Sequence, residues 1–378
     1  MTDPDPDHGD GARWVWVEPV DTVHVRDGRS FDAGEHATAH TVRPRPSTVA
    51  GALGKALPVR PRCVRGPLLV HTPASRRAEL YFPAPADLLT PPGLERQEVW
   101  RLSVPAEDDP HLSGVTTDLH QDTPGVRPPV APARARDCEP LTGWVSAAAL
   151  AAYLSGDLFR GGRSQDSGSL GWCDPVSVEP RVGLARQNRT AQDGMLYRTT
   201  HLRLEDGWGF AAQYVPGSPA PPSTGPVPFG GQGRLARITP IKGLSWPGEP
   251  PEGHASEDEG PSTVGACSGG RLLVYVATPG IWARGWLPDL PEGVQVVSAC
   301  VPEPETVATA SPNSTYREFL DSRALYRAVP AGSVYHLQFP TPAAAVEWAR
   351  AWHGRALPAA RPDLDTAGFG VVLTGVWS

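Results

Sequence analysis

The stretch VYHLQFPTPAAAVEWARAWHG, residues 334–354, holds a strand, a helix and the joint between them. Residues 334–339 are an apolar and aromatic run of strand length. Thr341 and Pro342 supply an N-cap and a first-turn proline. Ala345, Trp348, Ala349 and Trp352 then recur at i, i+3, i+4 and i+7, the spacing of one buried helix face. Gly354 is the expected stop. Outward from this unit, residues 272–277 and 294–301 read as strands, 281–287 as one or two Trp-rich helical turns, and 371–377 as a closing strand. The order β, short α, β, β, α, β predicts the split βαβ, ferredoxin-like plan. RNA-recognition modules share that plan, but fold alone does not confer function.

The front half carries a looser version. Trp14 opens a strand. Ser47 or Thr48 can cap a helix whose Val49, Ala52, Leu53, Ala56 and Leu57 form a continuous apolar stripe, with Gly51, Gly54 and Lys55 on other faces. Residues 68–70 and 80–82 are short strand candidates, 146–154 is a second helix, and 176–215 holds three strand-like runs. The expected fold class is therefore α+β, with two ferredoxin-like (RRM-like, βαββαβ) domains and long loop insertions. The N-terminal domain is expected over residues 11–215, with an insertion at about 104–140 and a hairpin at about 176–200. A Pro-rich linker at 216–228 leads to the C-terminal domain, 229–378, with a mobile acidic loop at about 247–266.

Composition narrows the class. Among 378 residues, 40 Gly and 44 Pro have no fixed period, which excludes collagen and implies many turns. No apolar run is long enough to cross a membrane and the first residues are acidic, so a cytoplasmic protein is expected. Five scattered cysteines without C-x-x-C spacing argue against a disulfide framework and against zinc. The formal charge of −7 misleads, because residues 1–10 and 251–260 hold eight of the 41 acids and no Lys or Arg. Elsewhere 34 basic residues face 33 acids, and all but Lys55 and Lys242 of those bases are arginine. Arginine grips phosphate with a planar fork and stacks on bases. A GC-rich coding sequence also inflates arginine, so the count alone decides nothing.

No G-x-S-x-G, H-E-x-x-H, Walker or G-x-G-x-x-G signature is present. His36 and His40, near Asp32 and Glu35, suit a metal or acid–base pair in spacing, but their polar setting reads as a solvated loop. Asp87, Asp137 and Asp174 read as turn or cap groups. Glycine-rich turns beside arginines are more informative: Arg160-Gly161-Gly162-Arg163, Gly230-Gly231-Gln232-Gly233-Arg234, and Gly368-Phe369-Gly370. Such turns expose N–H groups to a sugar-phosphate backbone, although each also suits an ordinary hairpin or bulge. Arg26 and Arg29 follow the first strand, and Arg181, Arg186, Arg189 and Arg198 flank the long hairpin, where Met195 and Tyr197 are candidate stacking groups.

Several strings resemble a known family. They are VEPVDTVHVRDGRSFDAGEHATAH (17–40), RPRPSTVAGAL (43–53), ELYFPAPADLL (79–89), VEPRVGLARQNRTAQDGMLYRTTHLRL (178–204), FGGQGRLARI (229–238), RAVPAGSVYHLQF (327–339) and GFGVVLTGVW (368–377). Together, from about residue 14 to 377, they resemble the Cas5-like RAMP subunit of the type III-B CRISPR effector, the Cmr3 family. The resemblance implies a noncatalytic subunit without metal or cofactor, made of two facing ferredoxin-like domains that grip the 5′ handle of the guide crRNA. It implies as partners the large Cas10-type subunit and the adjacent backbone RAMP subunit of the Cmr complex, with no membrane, in antiviral defence. Carried over by position, the RNA-binding candidates are Arg26, Arg29, Ser47, Thr48, Gly51, Lys55, Arg160, Arg163, Arg181, Arg186, Arg189, Arg198, Arg234, Gly368, Phe369 and Gly370. The alternative within the superfamily is a metal-independent endoribonuclease that processes CRISPR repeat RNA through His36 or His40. A carbohydrate-binding or scaffold β protein would have to display its tryptophans, most of which fit strands and helix stripes instead.

Overall fold

The computed structural model describes residues 11–27, 38–73, 77–92, 99–109, 123, 125–156, 163–164, 172–248, 268–310 and 323–377. In chain order the elements used below are β1 (Arg13–Pro19), α1 (Pro46–Ala56), β2 (Cys63–His71), β3 (Glu79–Pro83), β4 (Trp144–Ser146), α2 (Ala147–Leu154), β5 (Val176–Gln187), β6 (Thr190–Leu204), β7 (Trp208–Val215), β8 (Val227–Pro228) and β9 (Leu235–Ile241). They continue with β10 (Arg271–Val276), β11 (Gln295–Cys300), β12 (Glu305–Ala310), β13 (Arg323–Ala328), β14 (Val334–Gln338), α3 (Pro342–Trp352), β15 (Arg355–Ala356), α4 (Pro362–Thr366) and β16 (Val371–Gly375). The fold is α+β, with mostly antiparallel sheets and few helices.

Two large sheets dominate. The first runs β8-β9-β1-β7-β2-β3-β4 and the second β11-β14-β10-β16-β15. Alternation along β1 shows why they stack: Val15 and Val17 face α1, while Trp14 and Trp16 face the other way. On the α1 side, Val49, Ala52 and Leu53 pack on Val64, Leu69 and Phe210. On the opposite side, Leu68, Val70 and Phe82 meet Leu273, Tyr275 and Leu373 of the second sheet, with Leu150 and Tyr153 of α2 in the same core. The Tyr275 hydroxyl donates to Pro83 O across this junction at 2.6 Å. Outside the second sheet, α3 buries Ala345, Trp348, Ala349 and Trp352, the stripe read from its spacing. Thr341 caps α3 by accepting from the Ala344 N–H at 3.2 Å, and Ser146 caps α2 through Ala149 in the same way.

Three expectations change. Residues 281–287 form no helix but tight turns bridged Trp282 to Gly285 and Arg284 to Leu287, with Gly285 at φ 71°. Seven residues containing a left-handed glycine cannot repay helix nucleation, and burying Ile281 and Trp282 decides their conformation. Second, β9 pairs with β1 from Ile241 to Ala236, so the first sheet continues beyond the 216–228 linker read from composition. The pairing was invisible locally because its two strands lie more than 200 residues apart. Third, β12 and β13 add a separate two-stranded ribbon. Most of the expected acidic loop at 247–266, and residues 110–122 of the expected insertion, lie outside the described residues.

Candidate nucleic-acid interface

Helix α1 starts one residue before the expected cap. Pro46 occupies the first turn, its fixed φ suits that place, and the residue before a proline must be extended, as Arg45 is at φ −90°, ψ 160°. No side chain caps the helix, and Ser47 and Thr48 fall inside its first turn. The buried Arg45 guanidinium instead bonds Thr306 O at 2.5 Å, tying β12 to the helix start. Ser47, Thr48, Gly51 and Lys55 thereby line one cleft of about 620 Å³, joined by Arg60 and Arg62. Asp363 and Thr366 of α4 form its far wall. Among the described residues, a side chain at Gly51 would meet nothing within 4 Å, and one at Gly54 only Arg60, at 3.8 Å. Glycine in a helix interior costs about 1 kcal/mol relative to alanine, and packing among the described residues does not explain either one. Lys55 and Arg60 form no ion pair among the described residues, whereas Asp363 is engaged by Arg361 at 2.8 Å.

The hairpin β5–β6 turns at Asn188 and Arg189, with φ 50° and 67°, the two left-handed positions of a type I′ turn. Arg186, Arg189 and Arg198 are exposed. Pairing of Val182 with Arg198 and of Leu184 with Leu196 puts an apolar and basic surface on one face, with Val182 65 % exposed. On the other face the Tyr197 ring lies over Gly183, where a Cβ would fall inside the ring.

Arg181 and Arg234 are differently placed from what was expected of them. Arg181 binds Glu179 at 2.8 Å and Asp21 at 3.1 Å, Arg203 binds the same two acids at 2.6 and 3.0 Å, and Arg234 reaches Asp21 at 2.8 Å. Burial opposes ionisation of Asp21, but the hydrogen bonds from Arg181 and Arg203 outweigh it and hold its carboxyl down at about 2. These guanidiniums clamp the hairpin base to the body. The 230–234 turn serves the same joint: the His24 carbonyl occupies the space a Cβ on Gly230 would need, and it accepts from the Gly231 N–H at 2.7 Å.

Gly368, Phe369 and Gly370 are buried rather than displayed. Gly368, at φ +100°, lets Val64 O approach to 2.6 Å of its missing Cβ, and Gly368 O accepts from the Thr278 hydroxyl at 2.7 Å. Gly368 thus serves packing between the two sheets, while Gly370, at φ +77°, packs on Trp282 and Leu357 O within the second half. Arg26 bridges backbone to backbone with Thr41. Arg29, Arg160 and His36 lie outside the described residues, and of Arg163 only the backbone, in the strand Arg163–Ser164, is described. His40 is exposed, and among the described residues no three His, Cys, Asp or Glu side chains group as metal ligands. Arg60 and Arg62 escaped the sequence reading; the run VRPR directly after the α1 stripe was their signal.

A family model for a CRISPR-associated protein (Cas_Cmr3) matches residues 15–377. Twenty chains of solved structures match, two of which follow. One is a "Cryo-EM structure of the Type III-B Cmr-beta bound to cognate target RNA and AMPPnP, state 1", at 13% identity and TM-score 0.42 over 86% of both chains. The other is a "Cryo-EM structure of the Type III-B Cmr-beta bound to cognate target RNA", at 12% identity and TM-score 0.41 over 86% of both chains. No curated protein matches significantly.

Proposed function

Because the chain belongs to the Cmr3 family of CRISPR-associated proteins, we propose that it is a noncatalytic, RNA-binding subunit of a type III-B Cmr ribonucleoprotein. In this reading it holds the 5′ handle of the guide crRNA and bridges it to the large Cas10-type subunit and the adjacent backbone RAMP subunit. The observation that carries the reading is the α1 cleft, where two hydroxyls, a bare glycine and three cations share one open surface. Phosphates would be held there by Lys55, Arg60 and Arg62, and the missing Cβ of Gly51 lets a sugar-phosphate backbone approach. Arg186, Arg189 and Arg198 extend the basic surface along the hairpin. The strand orders add support: β9-β1-β7-β2 and β16-β10-β14-β11 both read fourth-first-third-second in chain order, the ferredoxin-like order. The first half keeps the helix after its first strand (α1) and the second half the helix after its third (α3).

Purification of the tagged chain with its partners, followed by sequencing of bound RNA, tests this. RNAs sharing one common 5′ leader are expected; a particle free of RNA rejects the reading. Substituting Glu for Lys55 and Arg60 is expected to weaken handle RNA and to flatten the dependence of log affinity on log salt by about one for each phosphate that is no longer neutralised.

A further inference from the structure

At one end of the second sheet, Gln295, Gln338, Arg271 and Trp377 stand in a row. Gln295 and Arg271 both pair with Gln338, and continuing the Leu273–Gly375 pairing by two residues sets Trp377 opposite Arg271. Alternation places the row on the face that carries Leu273 and Tyr275, away from α3. Elsewhere the first sheet covers this face. Here a cavity of about 500 Å³ opens, closed on its far side by residues 104–107 and Arg127.

The lining groups are held in place but not saturated. Arg127 is anchored by its N–H to Val297 O at 2.8 Å and by one guanidinium nitrogen to Pro105 O at 2.7 Å, while its buried Nε has no hydrogen-bond partner among the described residues. The Arg271 guanidinium lies over the Trp377 ring at 5.4 Å. The Gln338 amide nitrogen donates to Gly269 O and Phe339 O at 2.7 and 2.9 Å, which fixes its carboxamide. Neither Arg127 nor Arg271 forms an ion pair among the described residues, and the one acid of the lining, Glu107, is exposed.

We propose that this cavity is a nucleotide subsite. A base stacks on the guanidinium–indole plane of Arg271 and Trp377, the carboxamides of Gln295 and Gln338 meet its polar edge, and the Arg127 guanidinium, which lines the cavity, takes the attached phosphate. A bare anion would have no use for the indole, and an apolar ligand would have none for the Arg127 guanidinium in the lining. The occupant is one nucleotide, whether a unit of an RNA strand or a free mononucleotide. The site lies apart from the α1 cleft and does not depend on handle binding.

Calorimetric titration of the full-length chain with AMP and with hexaadenylate tests the proposal. For whichever probe binds, Arg127→Gln and Trp377→Leu are each expected to lower affinity about tenfold or more, while Trp377→Phe retains it. Ribose 5-phosphate, which lacks the base, is expected to bind at least about tenfold more weakly than AMP. Trp377-dependent binding of hexaadenylate with weak AMP binding assigns the site to a strand, and the reverse assigns it to a free nucleotide. Equal binding of AMP and ribose 5-phosphate overturns the site. So does the absence of any Trp377-dependent binding of either probe to variants that melt at the wild-type temperature.

Discussion

Asp87 is fully buried in the turn after β3, and its carboxylate accepts from the Tyr153 hydroxyl at 2.9 Å and from Arg101 Nε at 2.8 Å. The Arg101 guanidinium also lies over the Tyr153 ring at 4.6 Å, and burial pushes the Tyr153 hydroxyl well above its ordinary pKa, keeping it a donor. Removing one member of such a buried set strands the others. Asp87→Ala is therefore expected to lower unfolding free energy by about 3–5 kcal/mol in urea titration. A loss below about 1 kcal/mol would show that water replaces the carboxylate. Read locally, Asp87 is a turn residue; its partners lie 14 and 66 positions away, beyond any spacing rule. Gly368 shows the complementary error. Its glycine character was legible, but whether that freedom serves an RNA or another part of the chain depends on Val64, 304 positions earlier in the sequence. Gly368→Ala is expected to cost about 1–3 kcal/mol, read as a lowered thermal midpoint.

At the level of elements, the hairpin was legible because turn residues punctuate an alternating run. The clamp at its base was not, since Asp21 and Arg234 come from distant segments. Asp21→Asn removes the acid shared by Arg181, Arg203 and Arg234, so amide exchange along the base of β5 and β6 should accelerate. Arg186→Glu with Arg189→Glu at the tip should leave that exchange unchanged while weakening RNA. These pairs are largely exposed, each worth about 0–1 kcal/mol, so global stability should barely move. The Asp21 carboxyl lies below its ordinary value, so the clamp is complete above about pH 4 and is lost as pH falls toward 2. Faster hairpin exchange already at pH 6 would contradict this. Helix α1 is the intermediate case: its apolar stripe was visible, but its first residue was set by Pro46 rather than by a hydroxyl cap.

For the whole molecule, two buried histidines couple stability to pH. Burial depresses both His336 and His353 to about 4, and His353 is held by Thr374 Oγ1 at 2.9 Å and Pro247 O at 2.8 Å. Both are neutral in the fold and bind protons more readily when unfolded. Their contribution is complete above about pH 6.5 and declines as pH falls toward 4, by on the order of 3 kcal/mol each. The thermal midpoint should therefore drop between pH 7 and pH 5, and His353→Gln should reduce the drop. A midpoint flat over that range would refute the assignment. The amino-acid sequence by itself determined the periodic elements, the cap of α3, the hairpin and the family strings, because helix stripes, strand alternation and turn chemistry are interactions among near neighbours. Only the tertiary structure decided that β9 belongs to the first sheet, that Arg181 and Arg234 are engaged by acids while Lys55 and Arg60 meet none among the described residues, and that Gly368 to Gly370 is an internal joint. Each of those outcomes depends on which distant segment the folded chain brings within hydrogen-bonding range, and residue type carries no record of that partner.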